Sequence, residues 1–246
     1  MNICLFSNDE INNPLSIKDE RGEHLVKVLH KKVGDTFTAG IIDGKSGVAT
    51  ITAISKEDGI SFTFNATGEG KELNPLKMII GFPRPIQLKR LLRDIAALGV
   101  CEVHLTGTEL GEKSYMQSNL VERGSAYKML LDGTVQAGST HVPQLSLHKT
   151  LQECLSSVSG DALFALDNIR PACSLNEASK KFADNNAGVK NVVAAIGSER
   201  GWTDKERSIL ENAGYIRCGM GERIMRTETA ATVAGSIILN NLGYLG

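Results

Sequence analysis

Between residues 77 and 241 the sequence alternates between short apolar segments and segments with helical periodicity. Strands are predicted at residues 77–81, 100–105, 161–166, 189–196 and 215–218, and helices at residues 86–98, 119–135, 151–158, 175–182, 203–214 and 227–241. Successive parallel strands need a crossover connection, which is usually a helix. The alternation therefore predicts an α/β fold in which a parallel sheet is covered by helices on both faces.

The first 70 residues have a different pattern, in which short β-branched segments dominate. Asp43-Gly44 is a hairpin signal between two such segments. Strands are predicted at residues 36–42, 48–54 and 60–64. We therefore predict a small β-barrel domain at residues 1–70, a linker near residues 67–75 and an α/β domain at residues 74–246.

The composition limits the cellular compartments in which we expect this protein. It has 246 residues and a net charge of −1, and 41% of its residues are apolar. No apolar run approaches the roughly 20 residues of a membrane span, and no basic segment opens a signal peptide. Five scattered cysteines without a C-x-x-C pair argue against a disulfide scaffold and against a zinc site. We therefore expect a cytoplasmic protein without a metal.

Two clusters of basic residues stand out from this nearly neutral composition. One comprises Lys27, His30, Lys31 and Lys32, and the other comprises Arg84, Lys89, Arg90 and Arg93. Such clusters can bind a nucleic acid, because local positive charge attracts phosphate even where the net charge is close to zero. A solvated face is the alternative explanation of either cluster.

Common catalytic and nucleotide-binding motifs are missing from the sequence. Residues 40–46 look like a Walker loop, but they are one residue too short and lie between two strands, so a hairpin turn explains them better. The sequence has no G-x-G-x-x-G after a strand, no H-E-x-x-H and no G-x-S-x-G. Its dispersed histidines are interpreted as surface or strand residues: His24, His30, His104, His141 and His148.

Two glycine-rich turns near the C-terminus are the best candidates for a binding site. Residues 197–201 and 219–221 each follow a predicted strand. Glycines allow the main chain to approach a ligand closely, and ligands of open α/β sheets bind beyond the carboxyl ends of the strands. The second turn leads through Arg226-Thr227-Glu228 into a helix of small residues. Two tight strand-to-helix turns with helix caps are the alternative interpretation.

The segments that carry these turns are Ile196-Gly197-Ser198-Glu199-Arg200-Gly201-Trp202 and Met220-Gly221-Glu222-Arg223-Ile224-Met225-Arg226-Thr227-Glu228-Thr229-Ala230. Together they resemble the signatures of the RsmE family of ribosomal RNA uridine N3-methyltransferases. Residues 24–30 and 33–35 are similar to the start of that family's PUA-like barrel. The resemblance covers nearly the whole chain, and its C-terminal part is the specific one.

The resemblance implies a SPOUT-type α/β domain with a C-terminal trefoil knot, preceded by a small PUA-like β-barrel. It also implies S-adenosylmethionine as the cofactor, ribosomal RNA or the small ribosomal subunit as the partner, and a homodimer. The implied cofactor-binding residues are Leu166, Ile196, Gly197, Ser198, Glu199, Gly201, Met220, Gly221, Ile224, Met225, Arg226, Thr229 and Ala230.

The implied reaction is methylation of uridine N3 in 16S ribosomal RNA. Arg226 would stabilise the negative charge on uracil or hold a nearby phosphate, and Glu228 would orient Arg226 or help remove the proton. The residues expected to bind RNA are Lys27, Lys31, Lys32, Arg84, Arg90 and Lys113.

Some residues depart from the family pattern. Ser198 and Arg200 replace the proline and a glycine of the usual Gly-Pro-Glu-Gly-Gly turn, and His30 replaces an arginine in the barrel. The alternatives are therefore a non-catalytic RNA-binding homologue, or a methyltransferase that acts on another RNA position.

Overall fold

The computed structural model describes residues 2–118, 124–185, 188 and 191–246. The chain divides into two compact units. The first comprises Met1–Glu72 together with Thr134–Val142, and the second comprises Leu73–Gly133 and Pro143–Gly246. The predicted helix at residues 119–135 and the predicted strand at residues 189–196 lie partly outside the described residues.

The first unit is built on a four-stranded sheet with the order β1-β2-β3-β4. Strands β1 and β2 are parallel, and the other two pairings are antiparallel. Its elements are β1 (Cys4–Phe6), α1 (Glu20–Glu23), a π-helical turn (His24–Val28), β2 (Thr36–Ile41), β3 (Ser46–Ser55) and β4 (Gly59–Gly68).

The turn between β2 and β3 confirms the hairpin predicted at Asp43-Gly44. Asp43 has a φ of 56°, a left-handed conformation that short polar residues tolerate in such turns. The core of this unit holds an aromatic cluster, in which the ring of Phe62 lies 5.0 Å from that of Phe6 and 5.7 Å from that of Phe37. The predicted Walker-like segment is thus part of a β-hairpin.

The second unit contains a seven-stranded parallel sheet with the order β7-β6-β5-β10-β8-β11-β9. Its strands are β5 (Asn74–Gly81), β6 (Val100–Thr106), β7 (Gln144–His148), β8 (Ala162–Leu166), β9 (Cys173–Ser174), β10 (Val192–Ile196) and β11 (Ile216–Gly219). Its helices are α2 (Pro85–Ala97), α3 (Lys113–Met116), α4 (Ser125–Ala137), α5 (Leu151–Ser157), α6 (Leu175–Asn185), α7 (Asp204–Asn212) and α8 (Thr227–Asn241). The last turn of α4 belongs to the first unit.

Helices cover both faces of this sheet, as predicted. Neighbouring residues of a strand point to opposite faces, and Met78 and Ile79 are such neighbours in β5. Ile79 packs in a buried cluster with Leu151 of α5 and Leu210 of α7. On the other face, a Cβ atom added to Gly235 of α8 would lie 2.8 Å from Cε of Met78. The small residues of α8 therefore allow it to pack very closely on the sheet of its own chain.

Candidate active site

Three loops meet at the carboxyl ends of β10, β8 and β11, which are neighbours in the sheet. They surround a cavity of about 340 Å³. Its lining includes Leu166, Asp167, Asn168 and Ile169 after β8, residues 196–201 after β10, Cys218, Met220, Gly221, Arg223, Ile224 and Met225 from β11 and its loop, and Arg207, Thr227 and Ala230 from two helices. The cavity thus lies where ligands of open α/β sheets bind.

The loop after β10 forms a tight turn whose position depends on glycines. The N–H of Gly201 donates to the carbonyl of Ser198 at 2.8 Å, and Gly201 has a φ of 72°. Gly81 lies directly beneath, because a Cβ atom added there would lie 2.5 Å from the nitrogen of Ser198. Among the described side chains, the hydroxyl of Ser198 is buried without a hydrogen-bond partner. The turn therefore presents mainly main-chain groups to the cavity.

The loop after β8 is held by a buried ion pair. Nε of Arg207 lies 2.6 Å from Oδ2 of Asp167, and Nη1 of Arg217 lies 3.6 Å from the same oxygen. The carboxylate also accepts the N–H of Ile169 at 3.0 Å, which fixes the loop. The hydrogen bond to Asp167 raises the pKa of Arg207. The indole of the buried Trp202 donates to the carbonyl of Leu166 at 3.1 Å, so both loops are tied together.

A capping box opens α7, as predicted. Thr203 accepts the N–H of Glu206, and the carboxylate of Glu206 accepts the N–H of Thr203 at 2.9 Å. The other oxygen of the buried Glu206 accepts the N–H of Glu109 at 2.8 Å. This helix start therefore also holds the segment that follows β6 against the turn after β10.

A smaller cavity of about 70 Å³ shares Ser198, Glu199 and Arg200 with the larger one. Nε of Arg84 lies 3.2 Å from Glu199, and a hydrogen bond with Tyr115 raises the pKa of Arg84. Arg200 pairs with Glu112 at 3.4 Å. The charge that Arg200 adds to the turn is therefore balanced by an acidic residue at the wall of the smaller cavity.

The residues predicted to bind a cofactor mostly line the larger cavity. Those that do are Leu166, Ile196, Gly197, Ser198, Glu199, Gly201, Met220, Gly221, Ile224, Met225 and Ala230. Arg226 and Thr229 are exposed and lie outside its lining. Glu228 is half-buried in the first turn of α8, and Arg226 is the residue that caps this helix.

The residues predicted to bind RNA are mostly exposed. In the first unit Lys27 and Lys32 are exposed and Lys31 is half-buried, and Lys27 pairs with Glu23 of the same helical segment at 2.6 Å. In the second unit Arg84, Arg90 and Lys113 are exposed. Their exposure makes these side chains accessible to a phosphate backbone.

Sequence reasoning missed the ion pair between the side chains of Asp167 and Arg207, which holds the loop after β8. They are 40 positions apart in the chain and meet only in the folded sheet. The usable signal was weak: Asp167 follows a buried strand, and Arg207 lies one turn into a helix with a clear capping box.

Comparison with known proteins identifies the class of this fold. Residues 71–239 match the RNA methyltransferase domain family, and residues 17–61 match the RNA methyltransferase PUA domain. A ribosomal RNA small subunit methyltransferase E from Treponema pallidum is 37% identical over 98% of this chain and 91% of its own length. A second protein of that name, methyltransferase E 1 from Borreliella burgdorferi, is 32% identical over 97% of both chains.

A solved structure has the same fold. The ribosomal RNA small subunit methyltransferase E of Neisseria gonorrhoeae, crystallised with S-adenosylmethionine, superposes with a TM-score of 0.75 at 20% identity, over 98% of this chain and 97% of that one. The chain therefore belongs to the RsmE family of RNA methyltransferases, as the sequence signatures indicated. Within the parts of the chain that the structure describes, none of the helices is long and apolar enough to cross a membrane.

Proposed function

We propose that this protein transfers a methyl group from S-adenosylmethionine to N3 of a uridine in 16S ribosomal RNA. The observation that carries the proposal is the convergence of three main-chain-rich loops on one cavity at the carboxyl ends of β10, β8 and β11. Its volume of about 340 Å³ lies in the range of small-molecule sites. Family membership and the cofactor of the Neisseria relative support the same assignment.

The larger cavity suits a cofactor with apolar and polar parts. Leu166, Ile196 and Ala230 offer apolar surface, and the turn at residues 197–201 offers main-chain groups. In this proposal the loops after β10 and β11, with the start of α8, form the trefoil knot that the family resemblance implies.

Methyl transfer requires mainly that the protein aligns the acceptor nitrogen with the methyl group. Methyl transfer is an in-line displacement, so holding the acceptor nitrogen behind the methyl group supplies much of the rate. The uracil ring must lose its N3 proton, and the charge then spreads to its oxygens. We assign the stabilisation of that charge to Arg226, whose main chain is fixed by the N–H of Ala230 at 2.8 Å while its side chain is exposed. Glu228, two residues further on, would orient Arg226 or accept the proton.

The smaller cavity is the proposed entry of the target nucleotide. It adjoins the larger one through Ser198, Glu199 and Arg200, and Tyr115 offers an aromatic face at its wall. Stacking on such a face is a common means of holding an unpaired base of RNA. The exposed residues Lys27, Lys32, Arg84, Arg90 and Lys113, with Lys31, would hold the RNA backbone. A homodimer and a cytoplasmic location complete the proposal.

The test is transfer of labelled methyl groups to small ribosomal subunits and to 16S RNA that lack the modification, followed by mapping of the labelled base. We expect label on N3 of one uridine. Arg226→Ala should reduce the rate at least about a hundredfold at saturating cofactor, as the loss of a group that stabilises developing charge does. Lys180→Ala removes an exposed charge from α6 and is the matched control.

The results separate the alternatives. Full activity of a folded Arg226→Ala variant would refute the role of that residue. Label on another atom or base would indicate a different RNA position. Calorimetry that shows no binding of S-adenosylmethionine at millimolar concentration would favour the non-catalytic RNA-binding homologue.

A further inference from the structure

Three side chains that bind metals well come together on the side of the sheet opposite to α8. His104 lies in β6, His148 is the last residue of β7, and Cys154 lies in α5. The two strands are parallel, and His148 lies opposite Thr106. Thr106 and His104 are two residues apart in β6, so their side chains point to the same face of the sheet. The chain then turns at once into α5, which carries Cys154.

The atoms of this cluster are close enough to bind one ion. Nδ1 of His104 lies 3.1 Å from Nε2 of His148, and the ligand atoms of all three residues lie within 4.8 Å of one another. Tetrahedral zinc has bonds of about 2.0–2.1 Å to nitrogen and about 2.3 Å to sulfur, which places its ligand atoms roughly 3.3–3.7 Å apart. Small side-chain rotations therefore suffice to close the site.

The cluster is buried, which distinguishes it from chance groupings on a surface. The exposed fractions are 5% for His104, 8% for His148 and 0% for Cys154. Solvent competes weakly for a cation at such a place, and the thiol is protected from oxidants.

A carboxylate orients the first histidine. Oε2 of Glu102 lies 3.0 Å from Nε2 of His104, and the other oxygen of Glu102 pairs with Nζ of Lys77 at 2.9 Å. An Nε2–H that donates to Glu102 leaves the lone pair of Nδ1 directed at the cluster. The same carboxylate–histidine arrangement orients histidine ligands in metal sites and raises their basicity.

One further polar group is buried in the apolar cluster that contains Cys154. Among the described side chains, the hydroxyl of Tyr215 is buried without a hydrogen-bond partner, and Tyr215 packs in the buried cluster that contains Cys154. A water molecule as the fourth ligand would complete four-coordination. Three protein ligands with one water molecule is a common zinc arrangement.

We propose that His104, His148 and Cys154 form a binding site for one divalent zinc-like cation, separate from the cavity of the proposed methyl transfer. On binding, the Cys154 thiol loses its proton to solvent and the proton on His148 resides on Nδ1. The ion then carries one net positive charge with its thiolate, opposite the Glu102 carboxylate. It would tie the edge strand β7 and helix α5 to β6.

The test uses the full-length protein, stripped of metal with a chelator, reduced, and titrated with Co²⁺ without oxygen. We expect saturation at one equivalent, with the near-ultraviolet charge-transfer band of a thiolate–cobalt bond, and displacement of cobalt by Zn²⁺. Absence of that band with the folded wild-type protein at millimolar Co²⁺ would overturn the proposal without any variant.

Variants assign the ligands. Cys154→Ser should lose the charge-transfer band, whereas Cys101→Ser, a half-buried cysteine three residues before His104 in β6, should keep it. Glu102→Gln should keep the band and weaken binding about 10–100-fold, as loss of an outer carboxylate does. A band that persists in Cys154→Ser, or an affinity unchanged in Glu102→Gln, would contradict the assignment. Circular dichroism of each metal-free variant checks its folding.

Discussion

Replacing Arg207 by methionine should unfold the second unit more easily, because it leaves a buried carboxylate with too few partners. The side chain of Asp167 is 1% exposed and that of Arg207 is 11% exposed. The guanidinium reaches both oxygens, with Nε at 2.6 Å from Oδ2 and Nη2 at 3.4 Å from Oδ1. Breaking a buried pair of this kind typically costs about 3–5 kcal/mol.

The remaining partners of Asp167 set the expected value within that range. Nη1 of Arg217 stays 3.6 Å from Oδ2, and the N–H of Ile169 stays bonded to Oδ1 at 3.0 Å. We therefore expect the lower end, a loss of about 3 kcal/mol. With a urea dependence near 3 kcal/mol per M, the midpoint of unfolding should fall by about 1 M.

The matched control is Lys205→Met in the same helix. Lys205 pairs with Glu109 at 2.7 Å, but their side chains are 69% and 41% exposed, so solvent screens the pair and its loss should change the stability little. Adding Asp167→Asn to Arg207→Met should recover part of the stability, because the orphaned charge is then removed. Equal midpoints for the two single variants, or no recovery in the double variant, would refute this account.

Three further outcomes are expected. Gly81→Ala should weaken cofactor binding, because its Cβ would lie 2.5 Å from the nitrogen of Ser198. The control Gly68→Ala should not, because the atom nearest to its Cβ would be 3.8 Å away. Calorimetry measures cofactor binding by both variants. Burial lowers the pKa of His104, so its contribution to the free energy of unfolding should be fully present above the unfolded histidine pKa of about 6.5. Below that pH the unfolded state takes up the proton more readily, and the free energy of unfolding should fall. A thermal denaturation series over pH should show a shallower decline for His104→Gln than for the wild type. Burial raises the pKa of Cys218 to about 12, so the thiol should stay protonated at pH 8 and a disulfide reagent should label it only after unfolding; rapid labelling of native Cys218 would contradict its burial.

The sequence pattern predicted the elements that bury a continuous apolar stripe. The helix at residues 227–241 and the capping box at Thr203 are confirmed, as is the parallel sheet with helices on both faces. Strands β7 and β9 were missed. Strand β7 is a half-exposed edge strand with only five residues, and β9 has two, so neither carries a period long enough to detect.

The contacts that build the sites lay beyond sequence reasoning. The pattern placed both glycine turns at strand ends, because a strand followed by glycine and a helix is a local signal. The pairing of Asp167 with Arg207 depends instead on which strands become neighbours. The sequence indicates only a surface or strand residue at His104, because the spacing of 44 positions between His104 and His148 does not reveal the strand order that brings them together.

The strand order also determines when the second unit can fold during synthesis. Strand β6 follows β5 closely in the chain, but the other edge of β5 pairs with β10, which is synthesised more than a hundred residues later. At about 10 residues per second of synthesis, this leaves the edge of Ile79 and Ile80 uncovered for roughly ten seconds. An unpaired apolar edge is a template for association with other chains. The central edge of this sheet therefore stays open to such association until Ile196 has been made.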